Sequence, residues 1–208
     1  MSEALSVSVA DLRDAQVAGA QVVDVRVPVA YTREHIPESI NVPYTRNGFA
    51  QQAAFYLKQE APVVLVSDNT PLADFAAQEL NRAGFTVQGL LDGGIAAWKQ
   101  AGGPLAAVGQ ITADELSRML QEGRTPRLID VREAWEFNSG HIEGSEHIPL
   151  SQFGQRYGEL QQDEPMVFVC ASGARSGEAV QFLYRLGYRQ VSNLVGGMAA
   201  WLAGGRRG

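Results

Sequence analysis

The sequence predicts an α/β protein made of two tandem copies of one small domain, each a mostly parallel sheet with helices on both faces. Three observations predict it: the chain repeats itself, short apolar runs alternate with helix-patterned segments, and 208 residues are enough for two domains. Asp24 and Asp130 lie 106 residues apart, as do Arg26 and Arg132, His35 and His141, Ile36 and Ile142, Ser39 and Ser145, and Pro43 and Pro149. Further on the offset becomes 103, linking Gly84 to Gly187, Gly93-Gly94 to Gly196-Gly197, Ala96-Ala97 to Ala199-Ala200 and Trp98 to Trp201. Two blocks at nearly one shift amount to a duplication, with a net deletion of three residues inside the second copy.

Taken in order, the elements fit this scheme. Ser8 with Asp11 is a weak capping box that opens a helix, and Val22–Val25 and Val63–Val66 are short apolar runs of the kind buried parallel strands have. Gly84 ends the helix that follows. The segment 101–110 is small, contains glycine and is interrupted by Pro104, which predicts a linker. The domains are therefore expected at 1–103 and 110–208. In the second copy Thr112-Ala-Asp-Glu115 is a stronger capping box, and Leu128–Val131 and Met166–Val169 predict the matching strands. A helix over 175–186, ended by Gly187, follows the second of them.

Composition narrows the function classes. A net charge of −6 and a pI near 5.1 argue against a nucleic-acid partner, whose binders concentrate basic residues on one face. Arg206-Arg207 at the end of the chain is expected to be a solvated pair. No apolar run approaches the roughly 18 residues a membrane span needs. The first residues show no secretory pattern, so a cytoplasmic location without membrane attachment is expected. Three histidines and one distant cysteine make a poor metal set, and nothing in the sequence calls for a cofactor.

Comparing the copies separates fold from function. His35 and His141 match, and a histidine kept in the copy that lacks the cysteine is expected to be structural. His147 faces Asn41 in the alignment and has no metal-ligand partner nearby. The paired Asp-Val-Arg segments predict a structural ion pair, and Trp98 and Trp201 predict core anchors. The copies part after the central strand. Copy two reads Val169-Cys170-Ala-Ser-Gly-Ala-Arg175-Ser176, and copy one reads Val66-Ser67-Asp68-Asn-Thr-Pro-Leu72-Ala73.

Cys170 is the only cysteine. It follows a parallel strand, where ligand sites form in open α/β sheets. The small residues after it, with Gly173 free to take positive φ, let successive N–H groups curl into an anion nest. A helix N-terminus adds partial positive charge, and Arg175 is expected to add a full one. Each of these favours thiolate over thiol.

The motifs Asp-Val-Arg (130–132), Gly-His-Ile (140–142), Ile-Pro (148–149), Cys-Ala-Ser-Gly-Ala-Arg-Ser (170–176) and Gly-Gly-Met-Ala-Ala-Trp (196–201) together resemble the rhodanese (sulfurtransferase) superfamily, over nearly the whole chain. Copy one matches through Asp-Val-Arg (24–26), His35-Ile36 and Gly-Gly-Ile-Ala-Ala-Trp (93–98), with Ser67 where the nucleophile would stand. The resemblance implies an inactive N-terminal and an active C-terminal rhodanese-like domain. Cys170 would take the outer sulfur of a donor such as thiosulfate, become a persulfide, and pass the sulfur to cyanide, a thiol or a partner protein. Ala171, Ser172, Gly173, Ala174, Arg175 and Ser176 would bind the departing anion and then the persulfide. Copy one, with Asp68 repelling anions, would cover the site or stiffen the assembly. Trp135, set against Ala30 of copy one, is expected at the entrance.

Two rival readings stand beside this one. A cysteine phosphatase or arsenate reductase would place arginine six positions after the cysteine, whereas here the spacing is five. A persulfide carrier or regulatory module needs the same thiolate but turns over slowly by itself.

Overall fold

The computed structural model describes residues 5–207. They separate into two compact units, the first ending at Ala107 and the second starting at Val108. The first holds strands β1 (Ser6–Val7), β2 (Gln21–Asp24), β3 (Ile40–Asn41), β4 (Val63–Val66) and β5 (Val87–Leu91), with helices α1 (Val9–Val17), α2 (Pro28–Arg33), α3 (Phe49–Tyr56), α4 (Thr70–Arg82) and α5 (Gly94–Gln100). The second holds β6 (Gly109–Ile111), β7 (Arg127–Asp130), β8 (Glu146–His147), β9 (Met166–Val169) and β10 (Val191–Leu194), with α6 (Ala113–Gln121), α7 (Ala134–Asn138), α8 (Leu150–Arg156), α9 (Ala174–Arg185) and α10 (Gly197–Ala203).

Both sheets are parallel throughout and have one topology, β1-β5-β4-β2-β3 and β6-β10-β9-β7-β8. The central strands β4 and β9 are buried at every residue, which is why they are continuous apolar runs rather than alternating ones. In the first unit Val63 and Leu65 pack on one face with Phe49, Ala53, Ala76 and Leu80 of α3 and α4. Val64 and Val66 pack on the other with Leu12 of α1 and Ile95 and Trp98 of α5. Helices therefore cover both faces, as expected. Strands β2 and β7 each begin and end one residue before the apolar runs that predicted them.

The local signals hold. Both capping boxes form, that of Ser8 and Asp11 as fully as that of Thr112 and Glu115. Gly84 and Gly187 take positive φ just past α4 and α9. Both Trp98 and Trp201 are buried anchors, donating through Nε1 to the carbonyls of Pro104 and Arg207.

Two expectations need correction. The linker segment is tied down as far as Ala106: Pro104 accepts the Trp98 bond, and Ala106 forms a two-way backbone bridge with His35. Arg206 is not simply solvated. Its guanidinium lies 5.3 Å over the Trp201 ring and pairs with Asp114, because a flat cation gains from the electron-rich face of an indole and from a neighbouring carboxylate together. Among the described residues no helix is long and apolar enough to cross a membrane.

Candidate active site

The loop that leaves β9 is shaped by the element that follows it in space rather than in sequence. Met198 and Ala199, at the start of α10, donate their N–H groups to the carbonyls of Cys170 and Ala171 at 2.8 and 3.0 Å. This close approach requires Gly197, at φ +55°, where a Cβ would stand 2.2 Å from the Cys170 carbonyl oxygen. With its carbonyls turned away to α10, the loop points N–H groups inward. Gly173, at φ +92°, then turns the chain into α9.

Cys170 is buried, with 1% of its surface exposed, and its sulfur is hydrogen-bonded. Its Sγ receives the Gly173 N–H at 3.1 Å and the Ser176 hydroxyl at 3.2 Å. Burial, the largest single effect, pushes the thiol up. The Ser176 hydroxyl and the backbone N–H groups of Ser176, Ser172 and Gly173 together outweigh it, so the thiol lies below its ordinary range. Of the expected loop residues, Ser172, Gly173 and Ser176 thus converge on the sulfur. Ala171 uses its carbonyl on α10, and Ala174 opens α9.

Arg175 stands at the end of the loop, in the first turn of α9. Its two terminal nitrogens grip both Glu136 carboxylate oxygens at 2.7 Å, so the guanidinium charge is matched rather than free. This grip holds Glu136 well below the usual carboxylate range, at about 2. The pair locks α7 to the first turn of α9. Glu136 carries no sequence motif of its own, but the internal repeat offered a signal: the 106-residue offset sets Glu136 against Ala30, and 103 sets Arg175 against Leu72, so both partners are missing together from copy one. The same offset sets Trp135 against Val29, not Ala30. Trp135 is 74% exposed on α7, beside Glu136.

The residues kept in both copies do structural work. Asp130 is bonded by the Arg132 backbone N–H, Nε and Nη2, and Nη2 also reaches the Gly140 carbonyl; Arg26 holds Asp24 and the Glu34 carbonyl in the same way. The rings of His141 and His35 stack on Phe137 and Tyr31, with Nδ1 of each against the carbonyl of that same residue. His147 and Asn41, opposed in the alignment, make equivalent contacts with the carbonyls of Arg132 and Arg26.

In copy one the equivalent loop is closed on itself. Ser67 Oγ donates to the Asn69 carbonyl and accepts from the Asn69 N–H, both at 3.0 Å, and Ala73 stands where Ser176 would be. A cavity of about 490 Å³ adjoins it, with the carboxylates of Asp68 and Asp92 in its wall. A Ser67→Cys thiol in a Cys170→Ser background is therefore expected to alkylate about tenfold or more slowly than Cys170 at pH 7. Equal rates would show that the loop backbone alone activates a thiol.

The family model Rhodanese-like domain matches residues 8–101 and 112–204. The chain is 32% identical over 91 residues to the thiosulfate sulfurtransferase GlpE of Shewanella oneidensis, covering 44% of this chain and 89% of that one. It is 30% identical over 96 residues to the putative sulfur carrier protein YrkF of Bacillus subtilis, covering 46% of this chain and 52% of that one. The chain spans less than two thirds of the length of several of its curated relatives. The crystal structure of a thiosulfate sulfurtransferase from Pseudomonas aeruginosa matches 97% of this chain and 42% of its own, with a TM-score of 0.50 and 24% identity, a likeness of fold.

Proposed function

The chain belongs to the Rhodanese-like domain family, and on that premise we propose that it is a sulfurtransferase whose Cys170 carries sulfur as a persulfide from thiosulfate or a related donor to a thiophilic acceptor. One observation carries the reading: a buried sulfur whose hydrogen bonds, rather than a free cation, bring the thiol below its ordinary range. The thiolate attacks the donor's outer sulfur, a new S–S bond forms at Sγ, and the donor's own S–S bond breaks with its electron pair leaving on the departing anion. A thiol, cyanide or a protein acceptor then attacks the outer sulfur, and Cys170 leaves as thiolate. The N–H groups of Ser172, Gly173 and Ser176 that favour the thiolate would hold the persulfide anion too. The reading places the reaction in the cytoplasm, whose reducing conditions keep a lone thiol free.

The Arg175–Glu136 pair weighs against the oxyanion-enzyme alternative. A phosphate cradle needs its arginine free to face the ligand, and here that fork is already filled by a carboxylate. The carrier reading has more behind it, since YrkF is called a putative sulfur carrier and the sulfur of Cys170 is enclosed. Slow turnover with small molecules and rapid discharge to a protein would mark a carrier.

The test is intact mass after incubation with thiosulfate, with Cys170→Ser in parallel. The native chain is expected to gain one sulfur and the variant none. No gain with thiosulfate, mercaptopyruvate or polysulfide, while Cys170 still alkylates rapidly, would sink the proposal. Alkylation is expected to rise with pH to a midpoint below that of free cysteine, because the folded loop favours the thiolate.

A further inference from the structure

Asn193 reaches the site from a direction that the loop motif does not announce. It lies on β10, beside β9, and is 7% exposed. Its Oδ1 accepts a hydrogen bond from Ser176 Oγ at 2.7 Å, and its Nδ2 donates to Gln110 Oε1 on β6 at 3.2 Å. Ser176 is itself fully buried, with its Oγ 3.2 Å from Cys170 Sγ. A four-member chain therefore runs from the exposed Gln110 across two strands to the sulfur.

The sheet does not require this chain. Copy one pairs its strands in the same order, yet Ala73 replaces Ser176, Leu90 replaces Asn193, and Ser6, the β1 partner of Leu90, replaces Gln110. The polar chain and the cysteine are absent from copy one together. A leucine fits the Asn193 position in the first unit, buried to 8% exposure, so packing alone is satisfied without an amide. Burying an amide where a leucine serves is costly unless it is hydrogen-bonded.

The chemistry of a serine in the first turn of a helix supplies the reason. A hydroxyl has one proton, and in a helix it readily turns to carbonyls of its own backbone. The Asn193 oxygen draws Oγ into the sheet instead. The Asn193 oxygen and the sulfur therefore compete for one proton, and turning it onto the sulfur when the thiol ionises gives up the Asn193 bond.

We propose that Asn193, oriented by Gln110, is a positioning residue for Cys170: it holds the Ser176 hydroxyl beside the sulfur, competes with the sulfur for that hydroxyl's one proton, and so sets how readily the thiolate forms. The proposal deepens the sulfurtransferase reading and rests on it for the use made of that thiolate. The measurement is the pH profile of Cys170 alkylation by iodoacetamide on the full chain. Asn193→Leu releases that proton to the sulfur and is expected to speed alkylation at neutral pH about threefold to tenfold by moving the profile to lower pH, leaving the alkaline plateau in place. Gln110→Ala, an exposed change with little effect on folding, should move it less and in the same direction. In a Ser176→Ala background neither substitution should shift the profile further.

An unmoved profile in Asn193→Leu, or an equal shift with Ser176 already removed, would overturn the proposal. Should Asn193→Leu fail to fold, Gln110→Ala with and without Ser176→Ala decides it by the same criteria. Alkylation needs no sulfur donor, so a native chain that takes up no sulfur would refute the sulfurtransferase reading without touching this one.

Discussion

An Arg132→Met chain is expected to lose about 3–5 kcal/mol of stability, because it strands a carboxylate in the core. Asp130 has no exposed surface, and Arg132 supplies four of its hydrogen bonds from three donor groups while tying the Gly140 carbonyl to the end of β7. The pair is weak evidence of net stabilisation. In the first unit burial is the larger effect and lifts the Asp24 carboxyl above its ordinary range despite the grip of Arg26. Breaking such a pair is another matter, since the remaining charge keeps its desolvation cost and loses its partner. Urea unfolding followed by circular dichroism should show an early transition in the variant. A loss below about 1 kcal/mol would mean that the turn at Gly140 holds without the guanidinium.

A Gly197→Ala chain is expected to keep its fold and lose about a hundredfold in Cys170 reactivity, the penalty a misplacement of about 1 Å can bring to a catalytic group. The added methyl would meet the Cys170 carbonyl oxygen at 2.2 Å and the backbone of Ala171 and Ser172 at 2.8 Å, all of it backbone that cannot swing aside. Either α10 or the loop must move, and the bonds from Met198 and Ala199 that turn the loop carbonyls away are then strained. Positive φ at Gly197 adds a cost of its own. The alkylation rate of Cys170 checks this directly. Native rates would show that the loop keeps its nest without α10. The Gly-Gly motif is present in both copies and reads as a feature of the fold, but in copy two it shapes the loop around the sulfur.

The acid side of the site has a sign that follows from Glu136. Its carboxyl is held down to about 2 by the bidentate Arg175 bond, against an ordinary value near 4.5. The folded pKa is below the unfolded one, so the stabilisation is fully present above about 4.5 and is lost as pH falls towards about 2. A Glu136→Gln chain should lose that part of the acid dependence in a pH-melting series. Unchanged dependence would mean that the pair does not couple α7 to α9.

The duplication, the parallel sheets, the capping boxes, the structural histidines and Cys170 were legible in the sequence. Each is written in local pattern or in the comparison of one copy with the other, and the rhodanese-like assignment followed from motifs that lie along the chain. The partners of the site were not legible. The motif marks Arg175 as a cation at the end of the loop, and it does not announce Glu136, 39 residues away on another helix, as the carboxylate that pairs with it. Ser176 was expected to bind through the loop, but Asn193 and Gln110 hold its hydroxyl from strands that only the sheet order brings beside it. The physical reason is that backbone periodicity and turn chemistry depend on near neighbours, whereas a buried hydrogen bond or ion pair depends on which distant elements pack together. The sequence by itself determined two rhodanese-like α/β domains and one cysteine in the loop after the second central strand; the tertiary structure decided which groups bond its sulfur and which charge is already taken.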